Sequence, residues 1–274
     1  MKLIGGPREH FARARQVGWY LGLAALALLF HGGAWAEPGL TQGGSGVVRE
    51  VVDGDTLVLE DGTTVRLVGI MTPKLPLGRP GFPTEPLARD AKAALEALTL
   101  GRRVTLSYGG RRTDRYGRAL AHIQDEDGLW IQGELLRRGL ARVYTFSDNT
   151  ARSARMLALE DETRRAGGGV WTLDYYHVLT PEETGAAIGS FQLVEGRVVD
   201  AAKVRGRAYL NFGPDYRTDF TITISPKDMR RFRRAGFDPT SLGGRRVRVR
   251  GWLKSLNGPM IEVTHPEQIE VLEE

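Results

Sequence analysis

The sequence predicts a mainly β fold with α (α+β), arranged as two small barrels in tandem. Short β-branched runs are separated by Asp-Gly and Asn-Gly turns, and a helix-spaced run follows the third strand of each half. A length of 274 residues leaves room for about two domains, each with its own core. With 41% apolar and 26% charged residues, neither a wholly disordered chain nor a multi-span membrane protein is expected. The absence of cysteine excludes disulfides, zinc-thiolate sites, iron–sulfur clusters and thiol nucleophiles.

Residues 1–36 read as an export signal. Lys2, Arg8, Arg13 and Arg15 precede an uncharged run from Val17 to Phe30, and Ala34-Trp35-Ala36 forms a small-x-small cleavage site. Cleavage after Ala36 would place the mature chain in the periplasm or outside the cell, with no stable membrane association. The alternative is an uncleaved N-terminal anchor, although the apolar run is shorter than the ~20 residues a bilayer crossing needs. Removing the segment lowers the formal charge from +5, because four of the 38 bases and one of the 33 acids lie in it. Residues 37–45 are Gly- and Ser-rich and read as a linker.

The first module spans 46–177. Val47 to Val52, Thr56 to Leu59 and Thr64 to Ile70 read as strands, with Asp61-Gly62 as the turn between the last two. Five prolines between Pro73 and Pro86 rule out regular structure there. Leu87 to Leu98 places Leu87, Ala91, Ala94, Leu95 and Leu98 on one helical face. Arg103 to Tyr108 and Ala119 to Gln124 read as strands, and Trp130 to Arg138 and Thr150 to Arg165 as helices, the last ended by Gly167-Gly168-Gly169. Five strands with a helix after the third match a small OB-type barrel, here with three helices.

A second linker is expected at 178–189, followed by a smaller OB-like barrel at 190–274. Its strands read as Gln192 to Val199, Arg207 to Phe212, Thr218 to Ile224, Arg246 to Leu253 and Met260 to Thr264, with a helix at Pro226 to Ala235 and a terminal strand at Gln268 to Leu272. This module carries the basic excess. Arg246, Arg248 and Arg250 alternate along one strand face, and Tyr209, Phe212, Tyr216 and Trp252 are near in sequence, a pattern that suits either a polyanion groove or a solvated face.

The motifs of the first module resemble the staphylococcal-nuclease (thermonuclease) family. They are Val52-Asp53-Gly54-Asp55-Thr56, Val65-Arg66-Leu67 with Thr72-Pro73, Arg112-Thr113-Asp114-Arg115-Tyr116-Gly117-Arg118-Ala119-Leu120-Ala121, Gly139-Leu140-Ala141 and Val170-Trp171. The resemblance implies an OB-barrel nuclease that hydrolyses phosphodiesters of DNA or RNA, single-stranded by its aromatic contacts, with a calcium ion. It assigns Arg66 and Arg118 as the catalytic arginines, Asp55 with Asp53 and Thr72 as the metal-binding residues, and Arg115, Tyr116 and Tyr144 as nucleotide contacts, with Phe146 paired to Tyr144. Arginine suits phosphate because its planar fork holds two oxygens and stays charged. A bland reading of Asp53-Gly54-Asp55-Thr56 is a hairpin turn. Tyr144 and Phe146 read equally as barrel-rim packing.

The chain departs from the family pattern at two positions. Met71 stands where a second metal carboxylate is expected, and Lys74 where the general-base glutamate is expected. The site thereby loses two negative charges and gains one positive, which disfavours calcium and favours an anion. Three outcomes are open. Lys74 substitutes for the ion's charge and binds phosphate with catalysis reduced or lost; Glu85 or Asp90 completes the metal site; or Lys74 serves as the base. An exported phosphodiesterase and a non-catalytic cell-envelope binding or scaffold protein are the two functional classes left. His122, His177 and His265 lie at no metal-binding spacing, and no Gly-x-Ser-x-Gly or phosphate-loop pattern occurs.

Overall fold

A computed structural model describes residues 39–272. The expected export signal lies outside them. The first barrel is a closed ring ordered β1-β2-β3-β6-β5, built from β1 (Thr41–Asp53), β2 (Thr56–Leu59), β3 (Thr64–Leu67), β5 (Arg103–Tyr108) and β6 (Ala119–Gln124). β-Branched and leucine side chains alternate inward, so Leu57, Val65, Leu67 and Ile123 are fully buried. Helices α1 (Ala88–Thr99), α2 (Ile131–Arg137) and α3 (Ser153–Arg165) complete this half, with Leu95, Leu135, Leu136 and Met156 joining the same core.

The Gly- and Ser-rich stretch expected to be a linker at 37–45 is strand from Thr41 onward, pairing with β5 at Thr41↔Tyr108 and Ser45↔Thr105. Glycine permits this because the neighbouring chain comes close: a Cβ on Gly43 would fall 2.5 Å from the Tyr108 ring. The stretch 178–189 is likewise ordered. Leu179 bridges to Val194, and Thr180 and Glu183 form a capping box on the 3₁₀ turn Pro181–Ala187.

The strand expected from Thr64 to Ile70 is broken at Val68 into β3 and a short β4 (Gly69–Met71), which pairs antiparallel with β7 (Arg142–Tyr144), a strand that the sequence reading missed. Each is three residues long, too short for a periodic signal. Gly69 has φ +86, and a Cβ there would lie 2.6 Å from Met156 Cε, so both the backbone and the space require glycine.

The second module is a second sheet domain with the connectivity of the first. Its strands are β8 (Phe191–Arg197), β9 (Asp200–Val204), β10 (Arg207–Asn211), β11 (Thr221–Ile224), β12 (Arg246–Ser255), β13 (Pro259–Glu262) and β14 (Ile269–Val271), with helix α4 (Met229–Arg234) before β12. β8 pairs with β12 and β9 with β10, while only Val198 and Val199 separate β8 from β9. Those two residues bond sideways in opposite directions, Val198 N–H to Arg245 and Val199 N–H to Asn211. The single strand expected at 192–199 is therefore the first limb of a bent β8–β9 strand. Through it the order β10-β11-β13-β12 returns on itself, with β11 and β13 parallel as β3 and β6 are in the first barrel. Phe220, Ile222, Phe232, Val247 and Val249 fill its core.

The barrel and the second sheet domain belong to one compact unit. Where they meet, Arg250 Nη1 lies 2.7 Å from Glu160 Oε2, with both side chains almost wholly buried, and Arg250 also pairs with Glu270. Arg248 reaches Glu195 at 2.8 Å and Asp161 at 3.5 Å. The basic stripe, read as either a polyanion groove or a solvated face, is neither at Arg248 and Arg250, which are covered by α3 and neutralised by four acids. Only Arg246, the outermost of the three, remains exposed, and it too pairs with Glu195. Among the described residues no helix is long and apolar enough to cross a membrane.

Candidate nucleic-acid site of the first barrel

Asp53 and Thr56 pair across a two-residue turn, so Gly54-Asp55 is indeed a hairpin turn. The turn also places a carboxylate in the wall of the barrel. Thr56 pairs with Arg66 on β3, which brings the guanidinium beside Asp55. Gly54 is required because a Cβ would meet Thr72 Oγ1 at 2.6 Å and Ala91 Cβ at 2.8 Å.

Asp55 is fully buried, and its Oδ2 carries three partners. Lys74 Nζ lies at 2.6 Å, Thr72 N–H donates at 3.0 Å, and Arg66 Nη2 lies at 3.2 Å. Burial on its own would raise the Asp55 pKa. The Arg66 and Lys74 charges and the Lys74 and Thr72 hydrogen bonds outweigh it and hold the carboxyl well below the usual range. Asp53 responds in the opposite sense: burial, then the Asp55 charge, push its pKa up, while its Oδ1 accepts Asp55 N–H at 3.0 Å.

The Arg66 guanidinium turns inward. It donates to the carbonyls of Leu67 and Ile70, the latter at 2.7 Å, and to Asp55 O at 3.4 Å. Met71 N and C=O lie opposite Arg142 on β7, within the β4–β7 pair. Glu85 does not reach Asp55 as a further ligand: its Oε2 accepts the Lys74 backbone N–H at 2.7 Å, and so fixes the loop that presents Lys74. Asp90 is exposed on the first turn of α1.

Arg118 enters from the parallel pairing of β3 and β6, which sets Ala119 opposite Val65 and Leu120 opposite Arg66. Its Nε donates to Asp114 Oδ2 at 2.7 Å, and Asp114 Oδ1 accepts the N–H groups of Tyr116 and Arg118. Asp114 thereby organises the loop, a role its i, i+2, i+4 position in Asp-Arg-Tyr-Gly-Arg could have signalled. Tyr116 is 68% exposed, and the guanidinium carbons of Arg115 and Arg118 lie 4.8 and 5.6 Å from its ring centroid. An open aromatic face between two cations can stack a base and hold its phosphates.

Tyr144 lies on β7, among residues of the second module. Its ring meets Phe146 at 4.8 Å and Phe191 at 5.0 Å, both edge-on, and its hydroxyl accepts Trp252 Nε1–H at 3.2 Å. Sequence reading could not find this cluster, because Phe191 and Trp252 come from the second sheet domain.

The family model described as Staphylococcal nuclease homologue matches residues 64–173. An uncharacterized endonuclease of Escherichia coli O157:H7 is 31% identical over 130 residues, covering 46% of this chain and 76% of that protein. The chain belongs to the staphylococcal nuclease family. The thermonuclease of Staphylococcus intermedius is 29% identical over 133 residues, 47% of this chain and 77% of that protein. The staphylococcal nuclease domain-containing protein 1 of Drosophila melanogaster is 28% identical over 151 residues, 50% of this chain and 16% of its own length. Each of these matches covers no more than half of this chain. Nuclease-like nucleic-acid binding and hydrolysis are therefore supported at the level of the family.

Proposed function

We propose that this member of the staphylococcal nuclease family binds single-stranded DNA or RNA through the Arg115–Tyr116–Arg118 loop, with calcium-dependent hydrolysis weak or lost. The observation that carries this reading is the 2.6 Å contact of Lys74 Nζ with Asp55 Oδ2. Calcium takes 6–8 oxygen ligands. Of the two turn carboxylates that are candidates for it, Asp55 already accepts from an ammonium, a guanidinium and an N–H, and Asp53, whose pKa is raised by burial, accepts the Asp55 N–H; the neighbouring ligand position carries the Met71 thioether. Among the described residues, no group of three or more histidine, aspartate or glutamate side chains is arranged to hold a metal. These donors do not fit calcium. The Lys74 ammonium supplies the positive charge in its place.

The test is cleavage of single-stranded DNA and RNA, with calcium or chelator, by the natural chain and by Met71→Asp/Lys74→Glu. Calcium-stimulated cleavage is expected only in the double variant. Calcium-stimulated cleavage by the natural chain overturns the reading.

The proposal includes export, supported by the positive segment, apolar run and Ala34-Trp35-Ala36 site. A mature N-terminus at Glu37 in the periplasmic or extracellular fraction is expected; an intact N-terminus in the membrane fraction indicates the anchored form. A non-catalytic scaffold role in the envelope is the second reading. It is favoured by the inward turn of Arg66 onto backbone carbonyls, and failure to bind either nucleic acid would select it.

A further inference from the structure

The outer face of the second barrel continues directly from the Tyr144 corner. Along β12, even-numbered residues face outward. Arg248 and Arg250 lie under α3, whereas Trp252 and Lys254 emerge beyond it, both exposed. One concavity of about 180 Å³ is walled by Tyr144, Phe146, Phe191 and Trp252 and reaches Lys254 and Glu262. A second, of about 290 Å³, begins at the same Glu262 and runs over Arg207, Tyr209, Tyr216 and Met260. The two adjoin at Glu262, which lines both.

Strand register makes the track continuous. Lys254 lies opposite Met260, Met260 opposite Thr221, and Thr221 opposite Asn211; in the next row Glu262 lies opposite Thr223 and Thr223 opposite Tyr209. Crossing from β12 to β10 takes three strand spacings, about 14 Å. In a barrel of this connectivity β10 and β11 are the second and third strands, the face on which OB barrels take oligonucleotides and oligosaccharides.

The side chains favour the nucleic acid. Trp252 and Phe146 stand at one end, with 47% and 46% exposure, and Tyr216 at the other with 53%. Between them Lys254 and Arg207 bracket Glu262 at 3.0 and 3.8 Å, and Arg217 lies 4.9 Å from the Tyr216 ring centroid while pairing with Asp215 at 3.9 Å. Lys254 and Arg217 are exposed and Arg207 is half-buried; pairs open to solvent contribute little to stability, so their cations can exchange a carboxylate for a phosphate. Three cations against two acids, interleaved with open aromatic rings, suit a charged polymer with flat bases better than a neutral sugar. Both concavities are also smaller than the ~300–1,000 Å³ of pockets that enclose a small molecule.

We propose that this face, from Trp252 across Lys254 and Arg207 to Tyr216, carries a single strand of nucleic acid onward from the Tyr144–Phe146 corner of the first barrel. The inference rests on the nucleic-acid reading above but places the strand on a different module. It is tested on the full chain with fluorescein-labelled single-stranded oligonucleotides of about 16 nucleotides, the upper site size of an OB fold. Three proteins are compared by anisotropy: natural, Tyr216→Ala/Lys254→Ala, and Arg115→Ala/Tyr116→Ala, with equal unfolding midpoints as the control for folding. About a tenfold or greater loss of affinity in Tyr216→Ala/Lys254→Ala is expected. Bound strand also quenches Trp252 emission, read as the difference from Trp252→Phe. Loss confined to Arg115→Ala/Tyr116→Ala overturns this inference and leaves the first-barrel reading intact. Loss confined to Tyr216→Ala/Lys254→Ala supports it and removes the loop from the binding site. Absence of binding by the natural chain overturns both, and equal affinity for duplex of the same length overturns the stacking track.

Discussion

Lys74 Nζ and Asp55 Oδ2 stand 2.6 Å apart, and the carboxylate has no exposed surface. Lys74→Met leaves Asp55 with Arg66 and the Thr72 N–H. The buried charge is then less compensated, and a loss of about 1–3 kcal/mol in urea denaturation is expected. An unchanged midpoint would mean that the ammonium contributes nothing to the folded state.

Asp55, held ionised by the Arg66 charge and then by Lys74, sets an acid limb. The folded pKa of Asp55 lies below its ordinary value of 3.8, so the ionised carboxyl stabilises the fold above that pH. This contribution disappears as pH falls toward the lower folded value. Asp55→Asn should flatten the stability profile below about pH 4; a profile still parallel to that of the natural chain would assign the limb to other acids.

Glu160 and Arg250 join the two barrels through buried charge. Removing one partner of such a pair costs up to about 3–5 kcal/mol, and here Arg250 is left with Glu270 as its remaining carboxylate. Glu160→Ala should lower the melting temperature strongly, while Glu160→Leu/Arg250→Met recovers part of the loss. Calorimetry of the natural chain is expected to give one transition for both barrels, and two resolved transitions would show that the contact does not couple them.

His265 is buried against Thr145, with its Nε2 2.8 Å from Thr145 Oγ1. Burial first, then the Arg231 charge, lower its pKa to about 4, against opposition from Asp228 and Asp148. The unfolded chain therefore binds a proton more readily than the folded chain between about pH 4 and 6.5, and stability rises with pH across that window. His265→Gln should reduce this slope. The readout is the denaturation midpoint at steps from pH 4 to 7.

Gly54 leaves room for the Thr72 hydroxyl, which is buried without a hydrogen-bond partner. Gly54→Ala should push Thr72 off Asp55 and cost about 1–3 kcal/mol through overpacking. Wild-type stability in this variant would show that the turn can move aside.

Much of the fold was legible in local pattern. The strand runs 56–59, 103–108 and 119–124 appear with the limits that their alternation predicts, because each has one face in the barrel core. The break that separates β4 from β3, and the strands β7 and β9, were not, being short or, for β9, mostly exposed residues without an inward row. At the candidate site, the motifs located Asp55, Arg66 and the Tyr116 loop. They could not tell that Arg66 turns onto carbonyl oxygens, or that Tyr144 meets Trp252.

The sequence by itself determined the order of the longer strands and the helices, the exclusion of thiol chemistry, and the replacement of two expected carboxylates by Met71 and Lys74. The tertiary structure decided what each charge faces. Alternation shows that Arg246, Arg248 and Arg250 share one side of a strand, yet only the packing of α3 shows that Arg248 and Arg250 are spent on Glu160, Asp161, Glu195 and Glu270. The physical reason is that periodicity is a property of one element, whereas the partner of a charge is supplied by residues far away in the chain.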